Sequence, residues 1–113
     1  MSNTVTVIKG DTWRRAWAIF YENTDRFVDF TDAAMRLQIR DKAKVLKAEA
    51  SLDNGRLVVA ISTGRIDMVM PAAVMATLIS GTHYTFGLEV TFSTGIVTTY
   101  ETGVLSIYKD PVS

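Results

Sequence analysis

From residue 84 to residue 92 the side chains alternate without a break. Tyr84, Phe86, Leu88, Val90 and Phe92 are large and apolar, and His83, Thr85, Gly87, Glu89 and Thr91 alternate with them. Successive side chains of a strand point to opposite faces, so the stretch reads as a β-strand with one face buried and one wet. A one-residue slip would turn the whole apolar set toward water, which fixes the register of whatever pairs with it. Ser93-Thr94-Gly95 supplies a hairpin turn onto residues 96–100, and residues 103–108 continue as a final strand, either directly or after a bulge at Thr102-Gly103.

Strand-sized runs recur along the rest of the chain. Residues 4–9 (TVTVIK) read as a first strand, Gly10-Asp11 as a turn, residues 12–21 (TWRRAWAIFY) as a long second strand and residues 22–26 (ENTDR) as a polar turn. Residues 56–62 put Leu57, Val59 and Ile61 on one face. Thr63-Gly64 then turns the chain into residues 65–70, where Ile66, Met68 and Met70 alternate, which makes a second hairpin. Pro71 opens PAAVMATLISG, with Val74, Met75, Leu78 and Ile79 at helical spacing and Gly81 suited to a helix end. One short helical turn is therefore predicted near residues 71–79.

Residues 31–50 read two ways. They are rich in helix formers, begin with a plausible Thr31 or Asp32 cap, and space Met35, Ile39, Ala43, Leu46 and Ala50 near a helical period. Yet Met35, Leu37 and Ile39 also alternate strictly with Arg36, Gln38 and Arg40. That pattern suits a strand, a DKAK turn and a second short strand over residues 45–49. Local pattern leaves both open.

At 113 residues and 48% hydrophobic, the chain can close one core without staples, and no repeat, linker or low-complexity tract divides it. A single domain over residues 1–113 is expected. There is no cysteine, so disulfides, thiolate metal sites and cysteine nucleophiles are excluded. Twelve basic residues balance twelve acidic ones, which removes the broad pull toward nucleic acid or anionic membrane. The amino terminus lacks a basic segment followed by an apolar run, and no stretch approaches the roughly 20 apolar residues of a membrane helix. Synthesis in the cytoplasm and no membrane insertion are expected.

Reactive chemistry is sparse. His83 is the lone histidine, on the wet face of its strand, without the Ser and carboxylate that nucleophilic catalysis needs. Asp25, Asp29 and Asp32 miss the spacing of a calcium loop and suit turn chemistry. KGDT and STG are turn signals, not phosphate loops. Arg36, Arg40, Lys42, Lys44 and Lys47 form a basic run that Asp41 and Glu49 offset, and it lacks the interleaved aromatics of a nucleic-acid site; a solvated face or a guarded edge strand explains it. No enzymatic activity, metal or cofactor is expected, and neither a small-molecule substrate nor nucleic acid is an expected partner. The candidate contact residues are Trp13, Arg14, Arg15 and Trp17, because Trp and Arg are favoured at interface centres and their strand has neither face cleanly apolar. The competing reading makes Trp17 and Ile19 core, with Trp13 capping one end. Met1, Met35, Met68, Met70 and Met75 read as adaptable core filler.

The order of short motifs adds to this. Gly10-Asp11-Thr12 is followed by Asp29-Phe30-Thr31-Asp32-Ala33 and then by MRLQIR over residues 35–40. Asn54-Gly55-Arg56-Leu57 and Gly64-Arg65-Ile66 begin the hairpin strands, Ala76-Thr77-Leu78 falls in the helical turn, and Tyr84 with Leu88-Glu89-Val90 precedes turns at Gly95 and Gly103. In this order the chain resembles the small immunoglobulin-like domains of tailed-phage structural proteins, a group that includes the amino-terminal domain of the baseplate upper protein. It departs from them at Asp32, where Gly is usual, at the Gly-free turn of residues 22–26, and at Phe86-Gly87, which is inserted after the position following Tyr84.

The resemblance implies an all-β, immunoglobulin-like antiparallel β-sandwich in which residues 31–50 are two strands. It also implies a structural role in the virion, at the tail, baseplate or neck. Strand edges, loops and the residues before Val5 would join the chain to copies of itself and to other virion proteins within closed symmetry. A capsid decoration protein is the nearest variant. A host-surface recognition module is a second class; it needs an exposed aromatic platform, whereas Tyr21, Tyr100 and Tyr108 are scattered along the sequence. Nucleic-acid binding is a third.

Overall fold

The computed structural model describes residues 3–21 and 23–109. Met1 and Ser2 of the expected amino-terminal contact segment, and Glu22 of the expected polar turn, lie outside the described residues. In chain order the elements are β1 (Asn3–Ile8), β2 (Trp13–Ala18), β3 (Ala34–Arg40), β4 (Leu46–Ser51), β5 (Leu57–Ala60), β6 (Arg65–Met70), α1 (Ala72–Met75), β7 (Thr82–Thr91) and β8 (Val97–Tyr108). They form a five-stranded sheet, β1-β8-β7-β3-β4, facing a three-stranded sheet, β2-β6-β5.

Alternation places the core between the sheets. Leu37 and Ile39 of β3, Leu88 and Val90 of β7, and Leu105 and Ile107 of β8 are fully buried against Leu57 of β5 and Ile66, Met68 and Met70 of β6. Every pairing is antiparallel except that of β1 with β8, which is parallel from Asn3↔Gly103 to Ile8↔Tyr108. The expectation of an antiparallel sandwich is corrected at this edge. A parallel pair needs a long connection, and here almost the whole domain lies between the two strands.

Residues 31–50 are two strands. β3 is hydrogen-bonded on both edges, to β4 and to β7, so tertiary pairing overrides helix propensity. The turn between them is held by Asp41, whose Oδ1 accepts from the amides of Ala43 and Val45.

Two local expectations are corrected and one alternative is decided. The long second strand stops at Ala18, because the Ile19 amide donates to the Gly64 carbonyl and the Ile19 carbonyl accepts from Val28, drawing the chain into a tight hairpin closed by the Phe20↔Phe27 bridge. The strand at residues 56–62 stops at Ala60; Ile61 begins a 3₁₀ turn (Ile61–Thr63) and is exposed. Of the two readings of Thr102-Gly103, the continuous strand holds there, and the bulge lies earlier. Leu88 faces Glu101 while Glu89 faces Thr99, which leaves Tyr100 as the extra residue of a continuous β8.

The helical turn predicted near residues 71–79 is present as α1, with Pro71 at its N-cap and Met75 and Leu78 buried at the end of the core. Ile79 is exposed, but its amide donates to the Tyr84 hydroxyl at 2.9 Å, tying the loop to the start of β7.

Candidate functional site

β2 alternates as its sequence requires. Trp13, Arg15 and Trp17 point toward the facing sheet, and Arg14, Ala16 and Ala18 point outward. Trp13 is only 4% exposed and meets Phe86 edge-to-face at 5.3 Å between ring centroids. It is part of the core, which removes it from the candidate contact surface.

Arg15 and Trp17 are half-buried and converge on one carboxylate. The Arg15 guanidinium donates to both oxygens of Glu101 on β8, with Nη2 at 2.7 Å from Oε1 and 2.6 Å from Oε2. The Trp17 indole donates to Oε1 at 3.0 Å, and Asn3 of β1 donates to Oε2 at 2.8 Å. β1 and β2 are edge strands of the two sheets, joined to each other by the turn at residues 9–12, so Glu101 closes the seam between the sheets there. The guanidinium also lies 5.6 Å from the centroid of Phe86 and 5.8 Å from that of Trp17. Burial pushes the Glu101 carboxyl up, but the donors from Arg15, Trp17 and Asn3 outweigh it and hold its pKa below the ordinary glutamate value.

Of the four candidate contact residues, Arg14 alone is exposed. It belongs to the outer face of the three-stranded sheet, with Ala16 and Ala18 of β2, Val58 and Ala60 of β5, and Val69 of β6. An Arg65–Asp67 ion pair at 2.9 Å runs along β6, the middle strand of this face. Val58 is 60% exposed, and the alanines beside it leave the face shallow. Sequence reasoning missed Val58 and Val69. The available signal was their phase, since each alternates with the apolar set of its own strand and so points outward.

The remaining candidates are held by neighbours. Asp29 Oδ1 accepts from the hydroxyl of Thr31 at 2.6 Å and from its amide at 2.9 Å, which keeps the carboxyl below the usual aspartate range. Arg36 pairs with Glu89, Arg40 donates to Gln38 and to the Lys44 carbonyl, and Lys47 lies 3.6 Å from Asp41. His83 is exposed on β7. Among the described residues no group of three or more His, Cys, Asp or Glu is placed to hold a metal ion.

No protein-family model matches the chain, and no curated protein does. Among solved structures it is similar to CopC from Methylosinus trichosporium OB3b, with a TM-score of 0.50 and 12% identity over 96% of this chain and 84% of that one. It is also similar to Drosophila OTK extracellular domains 3-5, with a TM-score of 0.41 and 16% identity over 95% of this chain and 32% of that one. At these identities the likeness concerns fold alone. The fold is an immunoglobulin-like β-sandwich. One of its hallmarks is present here and another is replaced. Tyr84, bonded to the backbone five residues upstream, forms a tyrosine corner. Antibody domains place an inter-sheet cysteine two residues after that Tyr; this chain has Phe86 there, and its edge-to-face contact with Trp13 joins the two sheets in place of a disulfide.

Proposed function

We propose that this chain is a non-enzymatic structural subunit of a tailed-phage particle, at the tail, baseplate or neck, made in the host cytoplasm and acting by protein–protein contact in a symmetric assembly. The observation that carries the reading is the outer face of the β2-β6-β5 sheet. It is shallow, exposes Val58 and Val69, and borders the free edge of β2. Small side chains let a second backbone approach closely, and Arg14 at the border supplies the charged donor that contact surfaces favour.

The order of motifs supports the phage assignment. Gly10-Asp11-Thr12 lies in the turn from β1 to β2, residues 29–33 form the corner entering β3, and residues 35–40 lie within β3. Asp32, which stands where the resembling domains carry Gly, has φ 58°, a conformation that Gly adopts most readily. The contact surface includes Arg14 but excludes Trp13, while Arg15 and Trp17 act indirectly by holding β2 to the facing sheet.

Peptide mass spectrometry of purified particles, quantified against the major capsid protein, tests the proposal. About three to twelve copies, as closed rings give, fit the tail, baseplate or neck. Copies on the order of hundreds would make the chain a capsid decoration protein. Absence from the particle overturns the structural reading.

A further inference from the structure

One end of the sandwich holds an open cleft of about 590 Å³ that the contact surface does not use. Its walls come from the hairpin after β2, the corner before β3 and the β7–β8 turn. Phe20, Tyr21, Phe92 and Tyr100 supply aromatic surface, and Asp29 and Asp32 supply carboxylates. Phe20 and Tyr21 are 46% and 45% exposed; Phe20 packs on Phe27 at 4.5 Å between centroids and Arg26 lies over Tyr21, so each ring offers a ligand the surface those contacts leave open.

The arrangement is built rather than incidental. Phe30, fully buried beneath the cleft, stacks on Phe92 at 5.9 Å between centroids and meets Tyr100 edge-to-face at 6.2 Å. Tyr100 is the extra residue of the β8 bulge, and a bulge is a device for re-aiming a side chain. Tyr21 and Tyr100, distant in sequence, are brought to the same cleft; Tyr108 is not among its lining residues.

We propose that this cleft binds a neutral saccharide. A sugar ring has an apolar C–H face, which packs on aromatic rings, and a rim of hydroxyls, which needs mixed donors and acceptors. Ser93 and Thr94 line the cleft with hydroxyls that do both, the Thr31 hydroxyl, which donates to Asp29, can accept, and the carboxylates accept. Charge selects against an anionic ligand, which meets Asp29 and Asp32. The proposal stands whether or not the chain belongs to a virion.

The full chain, screened on an array of neutral and charged glycans, is expected to retain neutral oligosaccharides. Calorimetric titration with the retained free sugar should then show affinity weakened roughly tenfold or more in Tyr21→Ala and in Asp32→Asn. Both positions are exposed, and Asn tolerates the left-handed backbone of residue 32, so both variants should fold. Matched thermal melts separate lost binding from lost structure. Retention of no glycan, retention of charged glycans only, or a neutral sugar whose affinity neither folded variant changes overturns the assignment.

Discussion

Glu101 shows how one residue joins two sheets. Removing it leaves Arg15 and Trp17, both half-buried, without their acceptor, and breaking a buried pair from one side costs more than the pair contributes. Glu101→Ala is expected to destabilise the domain by about 3 kcal/mol in urea denaturation. The pH dependence has a defined sign. The folded pKa of Glu101 lies below its unfolded value, near 4.5, so its stabilisation is complete above that value and is lost as pH falls through the folded pKa. Glu101→Gln should flatten that part of the acid unfolding curve, and an unchanged acid limb would show that the carboxylate is not stabilised by folding. None of this was legible in the sequence. Alternation told that Trp13, Arg15 and Trp17 share a face, but an Arg among apolar neighbours left that face ambiguous, and the carboxylate that resolves it lies 86 residues away from Arg15. The same strand hid the role of Trp13, whose partner Phe86 lies on the opposite sheet.

At the scale of elements, strands were legible wherever alternation was strict, as in β6 and β7, and ambiguous where helix formers filled a strand, as in β3 and β4. What decides β3 is hydrogen bonding on both edges, which is a long-range fact. The strand ends at Ala18 and Ala60 were misplaced because neighbouring backbone, not local composition, draws the chain away. Gly103 is instructive in the same way. A Gly within a strand signals either a bulge or a close approach, and the sequence left the bulge open. In the structure a Cβ at Gly103 would stand 2.6 Å from the Asn3 carbonyl oxygen and 2.7 Å from the Phe86 ring. Gly103→Ala is therefore expected to displace the start of β1 or push Phe86 against Trp13, destabilising by about 2 kcal/mol. Hydrogen exchange checks the mechanism: amides of β1 should lose protection more than those of β4, and equal loss would rule out a local clash.

For the whole molecule, a sandwich buries its inner faces and leaves its outer faces to other uses, so function concentrates where an outer face lacks the expected charge. The outer face of the five-stranded sheet carries Arg36, Gln38, Arg40 and Glu89, bonded among themselves and their neighbours. The outer face of the three-stranded sheet carries alanines and valines around the Arg65–Asp67 pair, with Arg14 at its border. That asymmetry makes a separable test of the assembly proposal possible. Ala16 and Val58 both stand opposite Asp67, so a lysine at either position meets an opposite charge directly across the strand pair. Ala16→Lys and Val58→Lys should each keep stability within about 0.5 kcal/mol of the parent, as surface changes do. Either lysine would still project a long charged chain from a face suited to close contact. If that face meets a neighbouring subunit, particles assembled with these variants should carry fewer copies while the free domain melts as before. Undiminished incorporation of both would remove this face from the contact and leave the free edges of β1 and β4 to account for assembly.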